Sequence, residues 1–387
     1  MKSVTAVLLF LFLSAAGLFA ADPVFEPPFV PASPEVLAQG GSFVANAGGY
    51  NSLFFNPAGF SAGERSVTVL SATSWVYANP LRFLNTLGTG DSSAIVGLVE
   101  DEATSGGFGF GAAAGIGYVG HGLGLAAVLN IDSYLYGPTL LGAEGDLHAT
   151  LGFVAGFSLP VQLFGIKVHL GASLRPMLRV SAPVDYTTML DVLQALGAGG
   201  DPLAPLAGAD AVYGYGFGLD LGTIIELGDL RVGLAVRDLL GTSFSYTQTT
   251  VGAILDSIGS STELPTGGGA VDGHLIPMNV AAGLSYHPDL GGFSNVLDPT
   301  VHVSLDDVVG VFRDGRSVWT LLHLGAEARI LRFLSLRGGI QQGYVTFGAG
   351  LELLFLEVNA AVFTRELGMH IGDRPSSGMT VEAAVRF

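Results

Sequence analysis

The chain of 387 residues contains no cysteine, which closes off both a disulfide framework and a thiolate metal site. Charge is scarce too: acidic and basic residues together make up 13% of the chain, against 49% hydrophobic ones. An ordinary soluble chain carries roughly twice that share of charge to dress its surface, so the composition points to a surface that meets lipid. Basic residues are scarcest, 16 against 33 acidic, for a formal net charge of −17. Nucleic acid is thereby excluded as a partner, since its phosphates demand a basic face. No uninterrupted apolar run reaches the roughly 18 residues of a membrane-spanning helix. Contact with lipid is left to strands.

What is present begins with an export signal. Met1-Lys2 is basic, Val4 to Leu13 is apolar, and Ala15 to Ala21 is a run of mostly small residues, which together predict a signal peptide over 1–21. Residues 22–34 follow, with proline too frequent for a helix or central strand, and are expected to form an extended periplasmic lead-in. Residues 35–63 combine Gly40-Gly41-Ser42-Phe43-Val44-Ala45 with Tyr50-Asn51-Ser52-Leu53-Phe54-Phe55-Asn56-Pro57-Ala58-Gly59-Phe60. Glycine, asparagine and proline rule out a strand, yet the phenylalanines need burial. A compact hatch inside a larger body satisfies both, with one helical turn predicted at 34–39.

Residues 64–387 supply that larger body. In the segment 166–180, Ile166, Val168, Leu170, Ala172, Leu174, Leu178 and Val180 alternate with Lys167, His169, Gly171, Ser173, Arg175, Met177 and Arg179. One face suits lipid and the other is polar. The same test marks fourteen strands: 65–78, 107–119, 122–136, 146–159, 165–180, 211–225, 229–239, 277–287, 299–306, 318–330, 333–341, 344–352, 355–364 and 378–387. Connections alternate between mostly long and mostly short, the habit of barrels with long outer loops and short periplasmic turns. The fold class is therefore all-β, a 14-stranded antiparallel transmembrane β-barrel with the hatch in its lumen.

The segment ending in Asn56-Pro57-Ala58 just before the first strand resembles the hatch of the FadL family of outer-membrane fatty-acid transporters and of the related PorV-type proteins. The final strand ends on Phe387, which resembles the C-terminal signal read by the barrel-assembly machinery. The resemblance implies an outer-membrane location in a diderm bacterium, contact with outer-membrane lipid, and a monomer that takes up hydrophobic molecules such as long-chain fatty acids. It implies capture in an outer groove, transfer to a lumen site, movement of the hatch and exit through the wall. A PorV-like structural or secretion-partner barrel with a fixed plug is the alternative, and a water-filled porin is disfavoured by the apolar hatch.

Candidate ligand contacts in lumen and hatch are Phe54, Phe55, Asn56, Pro57, Ala58, Arg175, Arg179, Arg231 and Arg237. Most inward arginines are expected to pair with inward acids, leaving one or two for a fatty-acid carboxylate. Inward glycines such as Gly152, Gly216 and Gly222 leave volume for the hatch or for a ligand path. Two loop segments at helical spacing, Tyr186, Met189, Leu190, Leu193 and Leu196, and Val251, Ile254, Leu255 and Ile258, either close the mouth on each other or form the outer groove. Pro176 is expected near the outer rim, ending regular pairing or opening the wall. His148, His169, His302 and His323 read as polar lumen residues, and no cofactor, metal or catalytic constellation is expected.

Overall fold

The computed structural model describes residues 24–387 apart from 90–91, 202, 261–263 and 266–267, so the signal peptide expected over 1–21 lies outside the described residues. A short strand, β1 (Val24–Phe25), precedes sixteen wall segments. These are β2 (Ser66–Tyr77), β3 (Gly109–Gly120), β4 (Leu123–Tyr136), β5 (Glu144–Leu163), β6 (Ile166–Asp185), β7 (Asp210–Leu227), β8 (Leu230–Arg237) and β9 (Thr242–Thr250), then β10 (Ala270–Ile276), β11 (Asn279–Tyr286), β12 (Leu297–Leu305), β13 (Leu322–Ile330), β14 (Leu334–Gln341), β15 (Tyr344–Leu353), β16 (Leu356–Glu366) and β17 (Pro375–Arg386). Neighbours along the wall are antiparallel, and β17 pairs with β2 to close the ring.

Two wall strands come in two pieces. β8 and β9 both pair with β7, at Leu221↔Val236 and Tyr215↔Ser245, and are separated by Asp238–Gly241. β10 and β11 continue the next strand, pairing with β9 and β8 on either side of Pro277 and Met278. Proline cannot donate to a ladder, so a break belongs there. Joined this way, the sixteen segments make fourteen wall strands, the number the alternation predicts. The expected loop over 240–276 needs correction: its flanks are β9 and β10. Ser243 and Ser245, on the outward face of β9, break the apolar rhythm there.

The outward face carries a belt of exposed Leu125, Phe153, Phe157, Leu174, Phe217 and Phe347, which only an apolar surrounding satisfies. Inside, the N-terminal segment fills the ring with three short helices, α1 (Pro34–Ala38), α2 (Ser52–Phe55) and α3 (Gly59–Ala62). The extended lead-in, expected in the periplasm, runs against the inside of the wall. Glu26 and Phe29 are buried against β6, and β1 lies parallel to β10 at Val24↔His274 and Phe25↔Leu275. Burying the Phe29 ring gives this stretch an anchor inside the barrel that it would lack in water.

β1 has a specific task. β10 pairs with β9 on one edge, while β12 reaches only β11, so the other edge of β10 would be bare without β1. Val24 and Phe25 stay half-exposed in this notch, with the Arg313 guanidinium 4.1 Å from the Phe25 ring.

Longer helices decorate the loop end: α4 (Pro80–Thr89), α5 (Ser92–Ser105), α6 (Tyr186–Gly197), α7 (Val251–Ser260) and α8 (Val308–Asp314). Pro176 needs a second correction. β6 runs on to Asp185, so Pro176 sits mid-strand, paired with Phe217 on one side. On the other side the β5 ladder skips from Gly152↔Met177 to Ala155↔Leu174. The missing N–H costs that edge its bonds without ending the strand.

Candidate functional site

The N-terminal segment is held by an aromatic core and by polar groups of the wall. Phe29, Phe43, Tyr50, Leu53, Phe54, Phe55 and Phe60 pack with Val128, Met177, Ile224, Phe244 and Tyr246 of the strands. Phe54 meets both Phe29 and Tyr50 edge to face, at 6.1 and 5.6 Å. The short helices leave carbonyls unpaired, and side chains on the wall supply donors. Thr346 donates to Ala38 O at 3.0 Å and Thr380 to Ala32 O at 2.8 Å, while His302 and His323 bond the Gln39 and Gly40 carbonyls at 3.0 and 2.5 Å. His169 shares a 2.7 Å hydrogen bond with Ser61. Three of the four histidines expected in the lumen, His169, His302 and His323, thus bond the N-terminal segment.

Asn56 is fully buried between segment and wall. Its amide donates to Val44 O at 2.8 Å and, at 3.4 Å each, to Thr223 O of β7 and Leu234 O of β8, while Oδ1 accepts from Ala58 N at 3.0 Å. The inward glycines mark where this segment presses on the wall. A Cβ at Gly222 would stand 1.9 Å from Asn56 Oδ1, and one at Gly171 would stand 2.3 Å from the Pro57 carbonyl carbon. At Gly152 it would meet the Phe29 ring at 2.5 Å. Close packing of the segment against the wall explains these three glycines without an open ligand path.

Six inward arginines have partners among the described residues. Arg175 is fully buried, 2.7 Å from Asp220 through Nε and 2.9 Å from Asp238 through Nη2, and donates at 3.4 Å to Phe29 O. Arg179 reaches Glu26 at 3.2 Å, Pro27 O at 3.0 Å and Thr150 Oγ1 at 2.9 Å, under the Phe244 ring. Arg237 pairs with Asp306 at 2.9 Å and lies over the Phe55 ring, and Arg231 pairs with Glu226 at 3.4 Å. Arg337 meets Glu327 and Asn359, and Arg386 meets Glu357 and Glu382. These six fit the expectation that most inward arginines pair with inward acids, because an unmatched buried charge is costly. Glu26 and Asp238 escaped the sequence reading; a lone acid among prolines and one at a strand break carry no periodic signal.

The two loop stripes do not close the mouth. Tyr186 and Met189 of α6, with Leu190 partly buried, pack on Val76, Leu135 and Val184 and with Val99 and Ala103 of α5. Val251 and Ile254 of α7, with Leu255 partly buried, pack on Ala182, Ala211 and Tyr213. Leu135 shares its strand face with the exposed Leu129, and Met379, in the first cluster, with the exposed Val381. That face points outward, so the helices form a collar around the strand ends. Strands of up to 20 residues outrun the 9 to 11 that cross a membrane, and their apolar ends need this cover. The side chains of Leu193, Leu196 and Ile258 lie outside the described residues. In the collar, burial pushes the Glu102 carboxyl above its ordinary range despite Arg82 at 3.6 Å.

At the turn end a cavity of about 560 Å³ opens between the segment and the wall, lined by Glu35, Asn46, Tyr50, Arg231, Arg329 and Glu352 among others. It is polar, in contrast to the aromatic packing above it.

No family model and no curated protein matches the chain. Solved structures do. The toluene transporter TodX of Pseudomonas putida is 13% identical, with a TM-score of 0.47 over 91% of this chain and 97% of that one. The toluene transporter TbuX of Ralstonia pickettii is 14% identical, with a TM-score of 0.47 over 93% and 98%. The CymD monoaromatic hydrocarbon channel is 13% identical, with a TM-score of 0.45 over 87% and 91%.

Proposed function

We propose that this barrel sits in the outer membrane of a diderm bacterium, loop end outward, as a channel for passive uptake of hydrophobic molecules, long-chain fatty acids among them. The supporting observation is that an aromatic core fills the lumen around a segment whose own strand β1 completes the wall at β10. A water-filled pore needs a polar, open lumen. Here an apolar molecule gains a path only when the N-terminal segment shifts, and the same shift uncovers the notch beside β10 as a lateral exit. Glu26, Phe29, Phe54, Phe55 and Asn56 are the moving side and Arg175, Arg179 and Phe244 the fixed one. No chemical step is required, and one barrel is the working unit.

A second reading, a structural barrel with a fixed plug, draws on the close fit of segment to wall at Gly171 and Gly222. One experiment separates them. Because the chain has no cysteine, Val24→Cys with His274→Cys places a single engineered disulfide across the parallel pair. Uptake of a fluorescent fatty acid by proteoliposomes is expected to fall at least tenfold on oxidation and to return on reduction. Equal uptake in both states would favour the fixed plug.

A further inference from the structure

We infer that Arg179, His274, His148 and Tyr246 form an anion site for the head group of an amphiphilic carboxylate, and that Glu26 of the chain's own N-terminal segment occupies it as an internal stand-in. The inference rests on the channel reading above and adds a preference among hydrophobic cargoes.

Several donors face one carboxylate. Arg179 Nη1 lies 3.2 Å from Glu26 Oε2, and His274 Nδ1 lies 2.7 Å from Oε1. His148 Nδ1 stands 3.9 Å from Oε2, beyond hydrogen-bond reach, and is otherwise unpartnered. The Tyr246 hydroxyl, on a side chain almost wholly buried, faces the same carboxylate and Arg179. Glu26 thus leaves His148 out of reach, whereas buried polar groups are normally satisfied. A free carboxylate, unconstrained by a backbone, can settle where His148 reaches it as well. Asp146 of β5 is the other acid near this cluster, and Arg175 on the same face is already matched by Asp220 and Asp238.

The surroundings suit a tail. Phe29, Met177, Phe244, Tyr246 and Ile276 belong to one buried apolar cluster below the head-group position. The stand-in is also lightly tied. Beyond the carboxylate itself, β1 contributes two residue pairs to β10, Glu26 N donates to Leu275 O at 2.9 Å, Pro27 O accepts from Arg179 at 3.0 Å, and Phe29 O receives a long bond from Arg175. An acid followed by Pro27, Pro28 and Phe29 offers one carboxylate and then apolar bulk, the outline of the ligand itself.

An internal occupant lowers the apparent affinity of an external one by the fraction of time the site is free. Glu26→Gln keeps the shape and removes the charge, so a fluorescent long-chain carboxylate is expected to bind the detergent-purified variant about tenfold tighter, with binding of its uncharged methyl ester unchanged. Arg179→Met alone strands Glu26 and risks misfolding, so the control is Glu26→Gln with Arg179→Met, which removes both charges. That double variant is expected to lose the gain and to bind carboxylate and ester alike. If Glu26→Gln leaves carboxylate affinity unchanged, or tightens the ester equally, the anion site is overturned while the channel stands. If neither probe binds the wild-type chain or crosses proteoliposomes containing it, the channel reading falls and takes the site with it.

Discussion

The fit of segment to wall is decided at single atoms. Val in place of Gly222 brings a side chain to where Asn56 Oδ1 now lies, 1.9 Å from the new Cβ. Pro57 Cδ at 2.9 Å and Ala58 N at 3.0 Å crowd the same spot, so Gly222→Val is expected to displace Asn56 and loosen the segment. The check is maleimide labelling of Ala58→Cys in intact cells, which should rise from undetectable to the rate of a loop position such as Thr139→Cys. Asn56→Ala removes the donor to three carbonyls and should lower the stability of the folded barrel by about 1–3 kcal/mol, read as an earlier gel shift on heating. The inward direction of Arg175 and Arg179 was legible in the sequence, because period two assigns faces without any knowledge of neighbours. Their partners were not. Glu26 is brought to Arg179 by the path of a proline-rich stretch that has no period at all.

Among the elements, wall strands within the apolar belt were legible and those beyond it were not. β9 reads Thr242-Ser243-Phe244-Ser245-Tyr246, with aromatics inward and serines outward. A strand end above the belt has no need of apolar outward residues, so the alternation that identified its neighbours is inverted there. The collar was equally hidden, since helical spacing shows that a stripe exists and says nothing of which surface it covers. Met189→Asp places a charge under almost complete cover and should cost about 3 kcal/mol locally. Limited proteolysis is expected to nick α6 while the barrel keeps its heat-resistant migration. Pro176→Val restores a donor on the β5 side. Uptake should be unchanged in this variant, since the bare edge of β10 lies elsewhere; a fall would move the route to the β5–β6 break.

For the whole molecule, strand number sets how much must be filled. Eight strands enclose little more than their own side chains, while sixteen or more leave an aqueous channel. Fourteen leave room for the N-terminal segment, residues 24–63, that occupies the ring. Deleting residues 24–63 is expected to give steady ion conductance in planar bilayers, with the intact protein silent; silence in both would mean that the wall collapses inward. Ring closure itself has a further consequence. The seam runs from Gly378↔Tyr77 to Arg386↔Thr68, and β2 starts only four residues after α3 ends. Whatever is enclosed must already be inside when the last-made strand meets the first. The N-terminal segment therefore works as a mandrel on which the ring is rolled, and its side chains influence how fast and how faithfully the barrel is born as well as what later passes through it.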